Sequence, residues 1–521
     1  MNQPTSTAVR STVLATTLAL AVMGAALAQT RGGQLRVAAP QLPANPDPVV
    51  STLGTNWMVA QNACEGLFAL DDNWAPQPML ARSHAYSNGG KTLTIKLRSG
   101  IKFHSGATMT ADDVVASLNR FAGSAGTGAV LKGLVSEIKT ADAETVVLSL
   151  PTPSGMLVGL LTLVPASVFS KAALEGATGT QPVKSLDCTG PYKLSEFQPD
   201  RQAVLTRFDA YQSRTEKSSG HAGAKPAWAD QILFYPQSEP SVRRDSVLTG
   251  KADIAMTLPF DFFNQLKNNP AATPVIVADE RSLTVVFNTK QGPAANAKLR
   301  QAIQYALTME PIMRVASTSP DFYEVDPSWV PDRKSMWHST AGTEGWGKAD
   351  PERVKKLLAE AGYKGEPLRW LTSKDFYQSQ YLPTLAAQQQ LEKLGIKIEV
   401  LQMPAATYVK TRTEPGGFEM FSSFLPSYVD PVVIPYLNSS FPGFWDNAQK
   451  NDLVKQLAAA TDPKERVVIW NKIHALIYTE VPFMKFGTES LLFAARKGVS
   501  GMSSSPANPQ YFANVVPPAA R

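Results

Sequence analysis

Residues 91–121 have the sequence KTLTIKLRSGIKFHSGATMTADDVVASLNRF, which holds the signals for a strand, two turns and a helix in direct succession. Leu93, Ile95 and Leu97 alternate with polar residues. This alternation predicts a strand with one buried face and one face in water. Two Ser-Gly pairs follow the strand and predict turns. The first half of the stretch is therefore expected to be a half-buried β element.

The second half of the stretch predicts a capped helix. Thr110 is a favourable first residue, and Asp113 stands three positions later in a near capping box. Val114, Leu118 and Phe121 form the apolar stripe that would face a core. We therefore expect this helix to pack on the sheet that contains the preceding strand.

Later segments show the same mixture of strands and helices. The Gly-Pro pair in Cys188–Leu194 predicts a turn that opens a β-hairpin, and Val285–Thr289 predicts a strand. Leu368–Leu371, Leu382–Leu394 and Ile396–Val400 predict a strand, a helix and a second strand. Such a βαβ unit places its two strands side by side and parallel. The expected fold class is α/β.

Three of these strings, taken in order, resemble one known family. They are residues 91–121, the CTGPYKL of residues 188–194, and the VVFNT of residues 285–289 followed by LRQAIQYAL. They are similar to the dipeptide and oligopeptide family of periplasmic solute-binding proteins, the bacterial extracellular solute-binding proteins of family 5. Members serve as receptors of ABC importers and carry out no covalent chemistry. The resemblance implies a two-lobed periplasmic binding protein fold of type II, with an extra inserted subdomain and mixed sheets flanked by helices.

The resemblance also implies how the lobes divide the chain. Lobes that are discontinuous in sequence would be joined by crossings near residues 285 and 485, which would act as hinges. The expected division is a signal peptide at 1–28, lobe I at 29–65, 190–285 and 486–521, an inserted subdomain at 66–189, and lobe II at 286–485.

The N-terminus predicts export. Arg10 is the only charge before an apolar run from Val13 to Ala28, and Ala26-Leu27-Ala28 fits a signal-peptidase site. The expected location is the periplasm. Cys64 and Cys188 would then lie in an oxidising compartment. Either a disulfide between them or two separate buried thiols agrees with the sequence.

Charge and motifs limit the classes of function. The formal charge of +6 is dispersed along the chain, so we expect no nucleic-acid partner. The sequence contains neither a Gly-x-Ser-x-Gly nor a His-Glu-x-x-His motif, and its histidines are scattered. We therefore expect no catalytic residue, cofactor or resident metal. The family resemblance implies a monomer that partners with permease subunits. The alternatives are a nickel-chelate or haem receptor of the same fold, and, in another class, a periplasmic hydrolase.

One segment resembles the part of the family that faces the ligand cleft. Ser427-Tyr428-Val429-Asp430-Pro431 is similar to the pattern Ala-Asp-Tyr-x-Asp/Glu-Pro, whose first Asp pairs with a peptide α-amino group. Ser427 stands where that Asp is expected. A buried ammonium without a counter-charge is costly, so the usual amine anchor is in question. Asp430 is expected either to substitute for it or to cap a turn. Phe444 and Trp445 are expected to supply aromatic walls.

The resemblance implies two more sets of ligand contacts. Lys374 follows the strand that ends near Thr372, where relatives place a basic residue that binds the ligand carboxylate, and Phe376 lies beside it. The alternative for Lys374 is a solvated surface lysine. Thr55, Asn56 and Trp57 occupy the loop that faces the cleft in relatives, just before a helix predicted from Trp57 to Phe68. Trp57 is expected to be either a pocket wall or part of a core.

Overall fold

The computed structural model describes residues 31–50, 54–503 and 510–518. Strands and helices are intermixed along this part of the chain. The described strands are β1 Gln34–Ala39, β2 Phe68–Leu70, β3 Pro76–Pro78, β4 Ala81–Ser87, β5 Thr92–Leu97, β6 Glu137–Asp142, β7 Thr145–Ser149, β8 Tyr192–Gln198, β9 Gln202–Arg207, β10 Gln231–Pro236, β11 Ile254–Leu258, β12 Ala272–Phe287, β13 Tyr323–Glu324, β14 Leu368–Thr372, β15 Ile398–Gln402, β16 Met420–Pro426 and β17 Phe483–Arg496.

The helices flank these strands. The described α-helices are α1 Gly54–Ala63, α2 Ala111–Ala122, α3 Thr127–Leu134, α4 Leu157–Leu160, α5 Pro240–Leu248, α6 Phe263–Lys267, α7 Ala297–Ala306, α8 Met309–Ser317, α9 Pro351–Ala361, α10 Leu382–Lys393, α11 Ala405–Thr411, α12 Ala448–Ala459 and α13 Pro463–Glu480. Within the described ranges, none of these helices has the length and apolar character needed to cross a membrane. The predicted signal peptide lies outside the described residues.

The largest sheet has the strand order β15-β14-β16-β12-β17-β11-β1-β10-β9-β8, and β13 pairs with β17. β14 lies parallel to both β15 and β16, and β1 lies parallel to both β10 and β11. The pairs β8/β9, β9/β10, β11/β17, β12/β16 and β12/β17 are antiparallel. The sheet is therefore mixed, as the sequence predicts, and the parallel β14/β15 pair confirms the predicted βαβ unit.

Two long strands connect the two ends of this sheet. β12 has 16 residues and β17 has 14, and they pair antiparallel along most of their length. Val275, in the first half of β12, packs against a core built on β1, β9 and β10, whereas Leu283 and Val285 belong to a core with α7, α8 and α10. The register between β12 and β17 shifts between Val277 and Arg281. The chain thus passes from one core to the other along extended strands.

A separate four-stranded sheet, of order β4-β5-β7-β6, is formed by the first third of the chain. In β5 the buried residues alternate with half-buried ones, as predicted. The capping box of α2 is present, with the Thr110 backbone N–H donating to Asp113 Oδ2 at 2.8 Å. Val114, Leu118 and Phe121 are fully buried against the sheet. The local prediction for residues 91–121 is confirmed.

The helix predicted from Trp57 to Phe68 differs from the observed one. α1 begins earlier, at Gly54, and ends at Ala63, while Phe68 begins β2. Gly66 forms an isolated bridge with Ser167 and lies so close to other backbone that a Cβ would stand 3.2 Å from the Phe68 carbonyl oxygen. The helix ends where the chain must pass through this narrow space, a tertiary constraint that helical periodicity does not reveal.

Candidate functional site

The candidate site is built at the carboxyl ends of β14 and β16. These neighbouring parallel strands align Trp370 with Met420 and Leu371 with Phe421. The segments that leave them, starting at Ser373 and at Ser427, therefore emerge at the same edge of the sheet. In open α/β sheets, ligands bind outside the carboxyl ends of parallel strands. This edge brings together several of the residues predicted from the sequence.

An aromatic pair forms one wall at this edge. The rings of Phe376 and Phe424 meet edge to face, with their centroids 5.8 Å apart. The guanidinium carbon of Arg281 lies 5.8 Å from the Phe424 ring centroid, a cation–π distance. Both phenylalanines are half-buried, so part of each ring stays accessible. The pair can offer an apolar face to a ligand beside a positive charge.

Arg281 forms an ion pair with Glu489 on the neighbouring strand β17. Arg281 Nη2 lies 2.9 Å from Glu489 Oε2, and the side chains are 34% and 1% exposed, respectively. Burial raises the pKa of the Glu489 carboxyl, and Arg281 opposes this shift. Arg281 and Glu489 were not predicted as site residues. A usable signal was present, because charged residues such as Lys485 and Glu489 within a largely buried strand are expected only where they have partners.

Lys374 lies at the start of the segment that leaves β14. Its side chain is exposed, and Nζ stands 5.0 Å from the centroid of the Tyr381 ring. Residues Tyr377–Tyr381 form a single π-helical turn ahead of α10. Such turns are rare and occur frequently at functional sites. The surface alternative left open for Lys374 agrees with its exposure, and its role in carboxylate binding stays a prediction.

Ser427 and Tyr428 leave the end of β16, and both are half-buried. Burial raises the pKa of the Tyr428 phenol above its ordinary value, so this group is a neutral hydroxyl at physiological pH. Ser427 likewise offers a neutral hydroxyl where relatives are expected to hold a carboxylate. These two hydroxyls can exchange hydrogen bonds with a polar ligand but cannot neutralise an ammonium. Their contact with a ligand stays a prediction.

Asp430 has an internal partner. Its two carboxylate oxygens face Arg466, at 2.7 Å from Nη1 and 3.0 Å from Nη2, and both side chains are about 5% exposed or less. Oδ1 also accepts from the Val432 backbone N–H at 3.0 Å, so Asp430 caps the short turn that follows. The capping role left open by the sequence is thus present. A carboxylate so occupied is poorly placed to bind a second cation, and its role in ligand binding stays a prediction.

Phe444 and Trp445 lie away from this edge. In the ladder between β12 and β16, Arg281 lies opposite Pro426 and Phe287 lies opposite Met420. Just beyond Phe287, the Thr289 backbone N–H donates to the Gly443 carbonyl oxygen at 2.9 Å. The six residue steps from Arg281 to Phe287 span about 20 Å of strand. The predicted ligand residues therefore separate into two groups. Phe444 and Trp445 line a cavity of about 610 Å³ with Thr289, Lys290, Arg300, Ser439, Asn447 and Glu480, among others.

The N-terminal part of the predicted site is only partly described. Trp57 is half-buried in the first turn of α1. The side chains of Thr55 and Asn56 lie outside the described residues. Cys64, directly after α1, forms a disulfide with Cys188, with their Cα atoms 4.9 Å apart. Of the two arrangements that the sequence left open, the structure contains the bonded one.

The described side chains that could bind a metal are dispersed through the structure. Within residues 31–50, 54–503 and 510–518, no three His, Cys, Asp or Glu side chains are grouped so that they could hold a metal ion. The histidines take part in internal contacts instead. His474, for example, is fully buried, and its Nδ1 lies 2.8 Å from the carbonyl oxygen of Ala341. Burial lowers its pKa to about 4, so it is neutral at physiological pH.

Comparison with known proteins places this chain in one family. Residues 75–444 match the bacterial extracellular solute-binding proteins, family 5. The chain is 26% identical over 477 residues to a probable peptide ABC transporter periplasmic-binding protein, y4tO of Sinorhizobium fredii, with 88% of each chain covered. It is also 26% identical over 478 residues to the glutathione-binding protein GsiB of Escherichia coli, covering 87% of this chain and 89% of the relative.

Solved structures show the same architecture. The ABC transporter substrate-binding protein CtaP of Listeria monocytogenes superposes with a TM-score of 0.80 at 20% identity, covering 94% of this chain and all of that one. This likeness establishes the fold, which is the two-lobed α/β fold of type II predicted from the sequence. Because the family match spans most of the chain, the protein belongs to family 5 of the bacterial extracellular solute-binding proteins, the substrate-binding components of ABC transporters.

Proposed function

We propose that this protein captures a small peptide, or a related organic solute with a carboxylate, in a cleft between its lobes and delivers it unchanged to a membrane permease. Support comes from relatives named for binding peptides and glutathione, which match along nearly the whole chain. That coverage, 88% of both chains for the peptide-binding relative, is the observation that carries the proposal.

The proposed lobes follow the division expected from the sequence: lobe I comprises 29–65, 190–285 and 486–521, the inserted subdomain 66–189, and lobe II 286–485. β12 and β17 would serve as the connections between lobes. The register shift between Val277 and Arg281 is a suitable place for bending, since the regular ladder of hydrogen bonds is interrupted there. Ligand would stabilise the closed state because it contacts both lobes only in that state.

The chemistry of the site narrows the class of ligand. Ser427 supplies no charge where an amine-binding carboxylate is expected. The charge of Asp430 is balanced by its ion pair with Arg466. These residues offer no counter-charge for the α-ammonium of a peptide, so we expect the affinity for a peptide to come from its carboxylate and its apolar parts. The aromatic pair Phe376 and Phe424 and the cation Arg281 favour an anionic ligand with an apolar part.

The proposal includes location and partners. A signal peptide at residues 1–28 would direct the chain to the periplasm, where a disulfide such as Cys64–Cys188 is stable. The protein would act as a monomer that meets the permease subunits in its closed form. No catalytic residue, cofactor or nucleic-acid partner is part of the proposal.

Native mass spectrometry tests this function directly. The protein would be sprayed as purified from the periplasm and again after addition of a panel of dipeptides, tripeptides and glutathione. We expect a one-to-one complex whose ligand is released with unchanged mass. A hydrolysed ligand would favour the hydrolase alternative, and a bound metal chelate or haem would favour the receptor alternative. A failure to bind any peptide of the panel would contradict the peptide proposal.

A further inference from the structure

Arg281 has more hydrogen-bond donors than acceptors around it. Its guanidinium carries five N–H donors. The ion pair with Glu489 uses Nη2, and the guanidinium carbon lies over the Phe424 ring at 5.8 Å from its centroid. Nε is buried and has no hydrogen-bond partner within the described part of the chain. The side chain is 34% exposed, so its accessible donors can bind another acceptor, and the unmet Nε–H shows that the interior does not fully satisfy this guanidinium.

Two almost completely buried arginines, Arg243 and Arg300, have a partner for every side-chain nitrogen, whereas the half-buried Arg98 and Arg412 each have one buried nitrogen without a partner in the described part of the chain, as Arg281 does. Arg300 donates to the carbonyl oxygens of Ala294, Ala295, Glu480 and Val481. Arg243 likewise distributes its donors over carbonyl oxygens, including those of Met256 and Thr257, at 3.0 and 2.7 Å. Both act as internal clamps. An unpaired nitrogen alone therefore does not single out Arg281; its position on β12 opposite the end of β16 connects it to the candidate site.

The surroundings of Arg281 suit a ligand site. Arg281 lies on β12 directly opposite Pro426, the last residue of β16 and the neighbour of Ser427. The π turn Tyr377–Tyr381 contacts both β12 and β16. Within this turn, Gln380 is 3% exposed, and its Oε1 also has no hydrogen-bond partner in the described ranges. Two unmet polar atoms thus belong to elements that contact each other at the candidate site.

We propose that Arg281 is the anion anchor of this receptor and binds the carboxylate of the ligand through its free donors. Glu489 holds the guanidinium from behind, and Phe424 fixes its plane. The planar fork of an arginine matches a carboxylate with two parallel hydrogen bonds, which a lysine cannot reproduce. Arg281 would therefore perform the task that the family resemblance assigns to Lys374. This inference rests on the proposed function and names the ligand group that the cleft recognises.

The test combines arginine side-chain NMR with calorimetry. Acetate, tri-alanine and tri-alanine amide are titrated into wild-type protein while the Nε–Hε signal of Arg281 is followed. The same titrations are made calorimetrically with the double variant Arg281→Gln/Glu489→Gln. This variant removes both charges, so that no buried carboxylate is left unpaired. Arg207→Gln is the matched control, because Arg207 also pairs across strands, with Asp230 at 2.7 Å, but lies in the β8/β9 hairpin.

We expect acetate and tri-alanine to shift the Arg281 signal, and the double variant to bind tri-alanine about 10- to 100-fold more weakly than wild type. Tri-alanine amide should bind wild type weakly and lose little in the variant. An Arg281 signal that responds to neither acetate nor tri-alanine, or a variant with wild-type affinity, would overturn the inference while leaving the receptor function intact. A response to acetate without peptide binding would support the anchor and contradict the peptide proposal.

Discussion

Two arginine–carboxylate pairs lie on either side of residues 427–429, and they differ in how completely their hydrogen bonds are satisfied. Arg466 donates hydrogen bonds to the Asp430 carboxylate and to the carbonyl oxygens of Leu457 and Gly155. Its guanidinium carbon also lies 5.0 Å from the Trp337 ring centroid. Arg281 has Glu489 and the face of Phe424 alone among the described residues.

The difference separates a structural role from a binding role. The family resemblance makes Asp430 a candidate for ligand binding, yet its carboxylate is buried and ion-paired with Arg466. Arg281 carries no family motif, yet it retains unused donors and 34% exposure. Burying a charge pair is compatible with stability only when the remaining donors and acceptors are met. A pair with unmet donors at an accessible edge is therefore the better candidate for binding.

The largest effect is expected from Arg466→Ala. Removing this partner leaves the Asp430 carboxylate buried without a counter-charge, which should cost about 3–5 kcal/mol of unfolding free energy. Urea unfolding followed by circular dichroism measures the loss. Arg207→Ala, which breaks a more exposed pair, should cost no more than about 1 kcal/mol. A loss below about 1 kcal/mol for Arg466→Ala would show that the satisfied pair is not structural.

A smaller loss is expected from Gly155→Ala. Gly155 packs so closely on the α12–α13 junction that a Cβ would overlap the Ala460 carbonyl oxygen and lie 2.8 Å from Arg466 Cδ. The two segments must move apart, at a cost of about 1–3 kcal/mol. Thermal and urea unfolding would be compared with Gly133→Ala in α3, where nothing lies within 4 Å of an added Cβ. Equal stabilities for the two variants would contradict the close packing around Arg466.

The Glu489 pair should show a pH dependence of its own. Burial raises the pKa of Glu489, so the native protein holds this proton more tightly than the unfolded chain does. The contribution of Glu489 to the free energy of unfolding therefore falls as the pH rises from its pKa in the unfolded chain through its raised pKa in the native protein. Glutamine does not ionise, so the free energy of unfolding of Glu489→Gln should increase relative to that of wild type as the pH rises through this range. Urea unfolding of both proteins, measured from acidic to neutral pH, tests this prediction. A difference in unfolding free energy that does not change with pH would contradict the raised pKa of Glu489.

The smallest effect on stability is expected from Lys374→Gln, because the lysine side chain is exposed. The change should stay within about 0.5 kcal/mol of wild type in urea unfolding. Its effect on tri-alanine binding should be small compared with that of the Arg281→Gln/Glu489→Gln variant. A loss of affinity in Lys374→Gln as large as in the double variant would transfer the anchor role back to Lys374.

Local patterns in the sequence were sufficient for much of the fold. The alternation in β5, the capping box of Thr110 and Asp113, and the βαβ unit around α10 depend on neighbours a few residues apart. Propensity and periodicity act at that range. The end of α1 was missed because the space around Gly66 is set by a segment about 100 residues away.

The candidate site was less predictable for the same reason. The pairing of Asp430 with Arg466 joins residues 36 positions apart, and nothing in either local sequence indicates the other. Phe444 follows Tyr428 closely in sequence, but the chain between them runs to the opposite end of β12. Arg281 becomes a candidate only when its position opposite Pro426 and its unpaired Nε are both known, and these depend on contacts between distant parts of the chain.

A crystal structure of the protein with tri-alanine tests most directly whether unmet hydrogen bonds mark the binding residue. We expect the peptide carboxylate at the edge formed by β14 and β16, with an oxygen roughly 3 Å from the Arg281 guanidinium and the Arg466–Asp430 pair unchanged. A carboxylate held by Lys374, or a peptide bound with its ammonium against Asp430 and Arg281 left without a new partner, would contradict that expectation.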